Sequence, residues 1–519
     1  MRKTVLRSLK GIKMKKLVFS ALFILSFINN IFGQIYIATD GDDGNNGTNE
    51  QPYASFPKAI SEVSPGDTIY VRGGVYNIST TIIINNSVSG QKDELITLTA
   101  FNDEVPVLDF SGLPSGDKGI KLESNYWHIK GLHITKAADN GMSIDSGSNN
   151  IIEQCQFYRN KDTGLQLNNG SSFNQIINCD SYYNADPPDY GDADGFAPKL
   201  SVGTGNYFYG CRAWGNCDDG WDGYLRGAND VSTTLENCWT WGNGYLENGE
   251  NPGSKANGNG FKFGGGDNSN SEQLMHHMKL INCIAFNNKN KGFDQNNDVG
   301  SITLINCTGY NNLTANYRVQ RVLNSGQYLI VKNCISLRGN AQFGSFAIQE
   351  TNSWLSPFDA TSNDFLNLDI SYAPAPRMAD GSLPEIELLH LAQGSDLIDS
   401  GVDLGYSFKG LAPDLGAFES DYTTSIENKG TPGSFYLSQN YPNPFNPGTT
   451  IRFSLVSAGM VNFSIFDVSG RRIETLINTW MGRGIHNVKF NAEHYPSGVY
   501  FYRIESQGYF ETKKMIHVK

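Results

Sequence analysis

Six cysteines of this chain each open the same six-residue motif: cysteine, two variable residues, an aromatic residue, one variable residue and asparagine. Cys334 begins a seventh, degraded copy. Consecutive cysteines of the series lie 24, 32, 27, 45, 24 and 27 residues apart, so the basic period is 24 to 27 residues with two insertions. Such a period is typical of a solenoid, in which each repeat buries its apolar face against the next. The complete motifs begin at Cys155, Cys179, Cys211, Cys238, Cys283 and Cys307.

The segments between the motifs favour strands over helices. Short β-branched runs such as Asn-Ile-Ile and Lys-Leu-Ile precede the cysteines, and no 12-residue amphipathic helix fits between them. We therefore predict an all-β fold whose main part is a parallel β-helix, with coils stacked about 4.8 Å apart. Stacking predicts that the cysteines form one internal column of buried free thiols rather than disulfides. It also predicts that the motif asparagines form a second column, which satisfies backbone groups in the turns.

A second register runs through the same coils, in which a glycine precedes a hydrophobic residue. When these glycines are aligned, the position before glycine holds Asp194 and Asp219, and the position two after it holds Asp222 and Lys262. The alignment places Lys262 one coil beyond Asp222, within about 5–8 Å of the acids. The aligned glycines are Gly141, Gly164, Gly195, Gly220, Gly260 and Gly292.

Four acids converge on this patch. Asp194 stands in Asp-Gly-Phe, and Asp218, Asp219 and Asp222 stand in Cys-Asp-Asp-Gly-Trp-Asp. Such acids repel one another unless a cation lies among them, and Ca²⁺ is the usual guest of an all-oxygen site. A lysine beside bound Ca²⁺, here Lys262, can act as a base. The pattern predicts a calcium-dependent enzyme that removes a proton from an acidic sugar.

Other residues near this patch are candidates for contacts with a substrate. The insertions between Tyr183 and Gly195 and over Tyr245–Ala256 are expected to wall a binding groove. The pair His276-His277 lies off the columns, and we expect it on the surface. Candidate ligands for substrate carboxylates are Lys199, Arg212 and Arg226.

Charge and the N-terminus restrict the partners of the chain. A net charge of −12 and a pI of about 5.2 argue against nucleic acid as a partner. Lys15 and Lys16 precede the apolar run Leu17–Ile28, which predicts a signal peptide over residues 1–33, with Met14 as an alternative start. The run is too short to span a bilayer, and we expect no transmembrane span in the mature chain.

We divide the remaining chain into three parts. Residues 34–420 form the β-helix domain, with a capping helix near Ser55–Val63. A linker covers 421–433, and a small β-sandwich of alternating strands covers 434–519. We expect a monomer.

The C-terminal part closely resembles the type A sorting domain of type IX secretion substrates. This resemblance implies the type IX secretion machinery as a partner, and a secreted or cell-surface location after export across the outer membrane. The residues that carry it are Tyr441–Pro447, Arg452-Phe453, Gly498-Val499-Tyr500 and Lys513-Lys514.

The central part resembles polysaccharide lyase family 9, whose members are right-handed, pectin-lyase-like β-helices that cleave pectic polymers. The motifs are Asp194-Gly195-Phe196, Asn216 to Asp222, and Gly258 to Lys262. The resemblance implies Asp194, Asp218, Asp219 and Asp222 as calcium ligands and Lys262 as the catalytic base. It implies β-elimination that leaves unsaturated uronate ends, on polygalacturonate or alternatively on rhamnogalacturonan.

Two further functions remain open at this point. The first is a β-helix glycoside hydrolase with Asp218 and Asp219 as acid and base, although the Gly-His-Gly and Arg-Ile-Lys motifs of polygalacturonases are missing. The second is a non-catalytic surface sugar-binding protein, which leaves the lysine beside four acids without an explanation.

Overall fold

The computed structural model of the chain describes residues 32–267, 273–421, 435–482, 484–506 and 509–519. Short strands of successive coils pair in parallel to form three long sheets, which wind as a right-handed β-helix. The predicted all-β fold and its β-helix are thus confirmed. The predicted signal peptide lies almost entirely outside the described residues, as does the predicted linker. Among the described residues, no helix is long and apolar enough to cross a membrane.

Sheet 1 has 12 strands and forms one side of the helix. Its first strand pairs in register with the second. The strands are Gln34–Ile37, Thr68–Val71, Ile96–Ala100, Trp127–Lys130, Ile151–Glu153, Gln175–Ile177, Asn206–Tyr209, Val231–Glu236, His276–Ile281, Ile302–Ile305, Leu329–Lys332 and Ile348–Glu350.

Sheet 2 has 10 strands; Asp222 and Lys262 lie within it, and most of the aligned glycines stand directly before its strands. Its register pairs Asp222 with Lys262 across neighbouring coils, as the alignment of glycines predicts. The strands are Ile82–Ile84, Ile120–Leu122, Met142–Asp145, Leu165–Asn168, Phe196–Pro198, Trp221–Tyr224, Phe261–Gly265, Lys291–Asp294, Ala315–Val319 and Ala341–Phe343.

Sheet 3 has 10 strands and carries the aromatic residues of the motifs. Their rings stack from coil to coil, with Tyr182 and Trp214 centroids 4.3 Å apart and Trp214 and Trp241 centroids 4.9 Å apart. The strands are Gly74–Asn77, Pro106–Asp109, His133–Thr135, Gln156–Tyr158, Asp180–Tyr182, Arg212–Trp214, Trp239–Trp241, Ile284–Phe286, Thr308–Tyr310 and Ile335–Leu337.

The motif cysteines confirm the internal column that was predicted from their spacing. All are buried free thiols, and they face the core between the sheets. Each donates to carbonyl oxygens nearby; the Cys179 thiol, for example, lies 3.4 Å from the Ile152 oxygen of the preceding coil. Cys217 is also a buried free thiol, although it lies outside the series.

The motif asparagines form the predicted column, which we call the asparagine ladder. Asn243, for example, donates its side-chain amide to Asn288 (2.9 Å) and accepts from the backbone and side-chain nitrogens of Asn216 (both 3.1 Å). Its members are Asn160, Asn184, Asn216, Asn243, Asn288, Asn312 and Asn316. A shorter ladder of Asn150, Asn174 and Asn206, which sequence analysis missed, does the same at another corner.

The ends of the β-helix are closed by irregular segments. The short helix Phe56–Ser61 begins at Ser55, whose hydroxyl accepts from the Lys58 amide, and it buries Phe56 and Ile60. At the other end, the segment beyond residue 355, with 3₁₀ turns at Ser362–Asp364 and Ile370–Tyr372, packs on sheet 3 and covers Trp241 and its neighbours.

The C-terminal residues form two antiparallel sheets around their own core, as predicted. One sheet has three strands and the other has four. The strands of the first are Tyr436–Leu437, Gly448–Leu455 and Gly484–Asn491. The strands of the second are Gly459–Phe466, Arg472–Met481, Gly498–Ser506 and Tyr509–His517.

Candidate active site

Three carboxylates meet on sheet 2 where neighbouring strands begin. Asp194, Asp219 and Asp222 each offer one oxygen, and these oxygens all lie within 4.8 Å of one another. All three residues are buried. Oxygen donors at this spacing match the chemistry of a hard divalent cation.

Backbone and side-chain donors fix each carboxylate in place. Asp219 Oδ1 accepts from the Asn259 backbone amide (2.7 Å) and side-chain amide (2.9 Å). Asp194 Oδ1 accepts from the Asp219 amide (3.1 Å), and Asp222 Oδ1 accepts from the Tyr224 amide (3.0 Å). These bonds hold the three carboxylates in the positions where their oxygens converge.

Asp218 stands slightly apart from these three. It is buried, and its Oδ1 accepts from the backbone amide of Asn257 at the end of the second insertion. The three-carboxylate group does not include it. Asp218 therefore ties the insertion to the site, and its predicted role as a metal ligand stays a prediction.

Lys262 lies among the carboxylates. Its Nζ is 3.0 Å from Asp219 Oδ2 and 3.2 Å from Asp222 Oδ1, and its side chain is 12% exposed. Asp219 Oδ2 accepts no well-aligned hydrogen bond from the described residues, so its contact with Lys262 is mainly coulombic. The amine thus stands at the surface end of a buried acidic cluster.

Lys199 supplies a second ammonium group, which sequence analysis proposed only as a substrate ligand. Its Nζ lies 2.7 Å from Asp194 Oδ2 and 3.7 Å from Asp222 Oδ2, and the residue is buried. The strand Phe196–Pro198 ends just before it. The lysine side chain reaches back from the end of this strand to the carboxylate of Asp194, which stands before its start.

The charges shift the protonation of the cluster. Burial lowers the pKa of Lys262, but the carboxylates of Asp219 and Asp222 outweigh it and raise the pKa well above its usual value. Burial raises the pKa of Asp222, but the ammonium groups of Lys262 and Lys199 outweigh it and lower the pKa. Burial raises the pKa of Asp194 well above its usual value.

The structure places the other two substrate candidates elsewhere. Arg212 lies on sheet 3, where its buried guanidinium contacts Asp180 (2.8 Å) and the Ala375 carbonyl oxygen (2.8 Å). Arg226 is exposed, with its guanidinium 5.6 Å from the Tyr224 ring centroid. Arg212 therefore helps to hold the segment beyond residue 355 against sheet 3. Arg226 lies near the strand that carries Asp222.

His276 corrects the expectation that both histidines lie on the surface. It is fully buried, with Nδ1 2.9 Å from the Gly223 oxygen and Nε2 2.8 Å from the Thr233 hydroxyl. It therefore supports the bulge between Asp222 and Tyr224 from below. No sequence signal identified this role, because the histidine belongs to sheet 1 and its partner to sheet 2.

The two insertions contact each other beside the site. Lys255 Nζ lies 2.5 Å from Asp189 Oδ1, joining the second insertion to the first. Lys289 donates to the carbonyl oxygens of Gly253 (2.7 Å) and Ala256 (3.1 Å). The two insertions together form a wall beside the carboxylates, on the side where the strands of sheet 2 begin.

Comparisons with known proteins agree with this architecture. Residues 35–340 match the family described as "Pel9A-like, right handed beta helix region", and residues 439–519 match "Secretion system C-terminal sorting domain". Pectate lyase L of Dickeya chrysanthemi is 38% identical over 394 residues, which cover 74% of this chain and 90% of that protein.

Two solved structures share the fold over most of the β-helix. The crystal structure of pectate lyase Pel9A superposes with a TM-score of 0.68 at 38% identity, covering 74% of this chain and 96% of that one. A rhamnogalacturonan lyase superposes with a TM-score of 0.61 at 24% identity, covering 70% and 97%. The second likeness shows the fold alone.

Proposed function

The chain belongs to the Pel9A-like right-handed β-helix family and is a polysaccharide lyase, and we propose that it cleaves polygalacturonate in a calcium-dependent β-elimination. Its C-terminal domain directs it to type IX secretion, which fits an enzyme acting on a polymer outside the cell. We also propose the division into signal peptide 1–33, β-helix 34–420, linker 421–433 and sorting domain 434–519.

The residues present fit a calcium ion. Asp194, Asp219 and Asp222 offer converging oxygens, and Asp219 Oδ2 is a buried acceptor without a well-aligned donor. We propose these three as ligands, with Asp218 completing the set. When bound there, Ca²⁺ would neutralise the carboxylate of a galacturonate unit and make its C5 proton more acidic.

Lys262 is the base in this proposal. Its neutral Nζ takes the proton from C5, the C5–H electron pair forms the C4–C5 double bond, and the C4–O4 bond breaks. The departing oxygen takes a proton from water, so the step needs no other reactant. Because Lys262 Nζ touches two of the three carboxylates, a uronate carboxylate drawn to the same patch lies beside the base.

Protonation of Lys262 sets the pH dependence. The carboxylates raise its pKa, so the neutral form needed for proton transfer grows as the pH rises. Positive charge placed among the carboxylates lowers this pKa and enlarges the neutral fraction. We expect kcat to increase from neutral to alkaline pH, and a chelator to reduce it at every pH.

The observation that carries the proposal is a lysine held 3.0 Å and 3.2 Å from two of three convergent carboxylates on a lyase β-helix. The test is ultraviolet absorbance of unsaturated uronate, released from polygalacturonate and from rhamnogalacturonan with Ca²⁺ or with chelator. We expect chelator-sensitive absorbance that is faster on polygalacturonate.

Three results would contradict parts of the proposal. Saturated reducing ends without absorbance would replace elimination by hydrolysis. Full activity in chelator, with no Ca²⁺ binding by calorimetry, would remove calcium from the site. Faster release from rhamnogalacturonan would change the substrate and leave the chemistry unchanged.

A further inference from the structure

Cationic side chains lie in and beside the strands of sheet 2, on both sides of the carboxylates. Nearly all of them are already paired with an acid of the chain, which neutralises them toward a polyanionic ligand. The pairs are Lys118 with Asp145 (3.8 Å), Lys121 with Glu123 (2.6 Å), Lys199 with Asp194 (2.7 Å), Lys262 with Asp219 (3.0 Å) and Lys291 with Asp294 (2.9 Å).

Arg318 differs from these residues. It is the exposed member of the strand Ala315–Val319, whose other residues are buried. Within the described parts of the chain, its guanidinium makes no ion pair or side-chain hydrogen bond. An exposed arginine without an acidic partner keeps its full charge available for a ligand.

The register places Arg318 in line with the proposed base. Lys262 pairs with Asp294 on the next coil, and Asp294 pairs with Arg318 on the coil after that. Two coil spacings put the backbones of Lys262 and Arg318 about 10 Å apart. A linear polymer that follows the axis of the β-helix across sheet 2 would pass over both residues.

The acid between them does not cancel Arg318. Asp294 Oδ2 lies 2.9 Å from Lys291 Nζ, three residues earlier in its own strand, and that ammonium neutralises the carboxylate. Arg318 therefore faces outward although its backbone neighbours Asp294. The pairing with Lys291 neutralises Asp294, which would otherwise repel an anionic polymer. The positive charge of Arg318 remains available to attract that polymer.

We infer that Arg318 binds a second carboxylate of the same polymer, on the side of Lys262 that faces the C-terminal coils; this inference rests on the proposed function. A guanidinium accommodates a carboxylate through two parallel hydrogen bonds. Polygalacturonate bears a carboxylate on every sugar, whereas rhamnogalacturonan bears one on every second sugar. Two coil spacings span about two sugars, so either polymer can offer Arg318 a carboxylate two sugars beyond the one at Lys262.

The kinetic test compares Arg318→Gln and Arg318→Lys with the unaltered chain on polygalacturonate. Losing a charged hydrogen bond predicts a KM about tenfold higher or more for Arg318→Gln, with kcat within about threefold. Arg318→Lys should fall between, since it keeps the charge and loses the planar fork. Partial methyl esterification of the polymer should reduce the difference, because fewer free carboxylates then reach Arg318.

The matched control is Lys332→Gln. It removes one positive charge from the strand Leu329–Lys332, which belongs to sheet 1 and follows Arg318 along the chain. Its KM should stay within about twofold. An equal rise in KM for Lys332→Gln would reduce the effect of Arg318 to general electrostatic attraction and overturn the inference. So would an unchanged KM for Arg318→Gln.

A binding measurement separates this inference from the proposed function. Calorimetry with oligogalacturonate on Lys262→Ala and on Lys262→Ala combined with Arg318→Gln requires no turnover. We expect about tenfold weaker binding in the double variant. If the unaltered chain released no unsaturated product, the proposed function would fail, and calorimetry would still decide the role of Arg318: equal affinities would overturn it.

Discussion

The asparagine ladder and the acidic patch of sheet 2 belong to the same coils, and they use repetition in opposite ways. In the ladder, successive coils present the same residue, and from Asn160 to Asn312 each side chain bonds to its equivalent one coil away, as Asn184 does to Asn216 at 2.8 Å. On sheet 2, the equivalent position changes from Asp222 to Lys262 to Asp294 to Arg318. Identical asparagines on neighbouring coils hold the coils together, whereas side chains of alternating charge on sheet 2 form the candidate active site.

This difference separates stability from function within one repeat. An asparagine can donate and accept at once, so identical copies satisfy one another without limit along the column. Four identical carboxylates or lysines would instead repel one another. A chemically active column must therefore break the repeat, and the break marks the site.

Substitution of Lys262 is expected to have the largest effect. Loss of a general base lowers kcat about 10³-fold in Lys262→Ala, measured by absorbance of unsaturated product in saturating Ca²⁺. Lys130→Gln, on sheet 1, serves as the control and should retain its rate. A kcat within tenfold of the unaltered chain would show that another residue is the base.

Removal of one asparagine from the ladder should lower stability and leave catalysis almost unchanged. Asn243→Ala removes the buried acceptor of the Asn216 backbone and side-chain nitrogens and one of the two donors to Asn288 Oδ1, which costs about 3 kcal/mol of stability. Thermal unfolding should show a lower Tm, while kcat per folded molecule stays within about threefold.

Asn46→Ala is the matched control for Asn243→Ala, because its bond from the Thr48 amide (3.2 Å) is exposed. Its Tm should change little. If both variants unfolded alike, burial of the ladder would not explain its contribution to stability.

A buried acid outside both regions predicts how stability depends on pH. Burial raises the pKa of Asp298 to about 7, although backbone amides including that of His276 oppose the shift. Its Oδ2 has no partner among the described residues. Between pH 4 and 7 the folded chain holds a proton that the unfolded chain has lost, so stability falls as the pH rises.

Asp298→Asn removes this titration. Its free energy of unfolding, relative to that of the unaltered chain, should therefore rise by about 2 kcal/mol between pH 5 and 8. The measurement is the difference in Tm between the two proteins at each pH. Asn248→Ala, an exposed substitution that changes no titratable group, should show a constant difference. A constant difference for Asp298→Asn as well would mean that its carboxyl is charged in the fold at pH 5.

The smallest effect is expected at the wall. Lys255 is 66% exposed in its pair with Asp189, and exposed pairs contribute little. Lys255→Gln should leave the Tm within about 1 °C. Lys289→Met, which loses the bonds to Gly253 and Ala256, should lower it more. The opposite order would make the exposed pair the main support of the wall.

Sequence periodicity predicted most of the fold because each coil repeats the same local chemistry. The cysteine spacing located the coils, and the aligned glycines predicted that Asp222 and Lys262 would be neighbours, which the strand register confirms. The same alignment brought Asp194 and Asp219 to one patch. The repeat thereby determined which backbone positions meet.

Only the tertiary structure decided where several side chains point. Arg212 pairs with Asp180, its register neighbour on sheet 3, and Arg377 from the segment without a period lies 2.6 Å from the same carboxylate. Lys199 turns back to Asp194, and His276 is buried beneath the site. The sequence alone determined the coil, its register and its columns, since these follow from local repetition. Side-chain direction depended on contacts between distant, non-repeating segments, which periodicity does not encode.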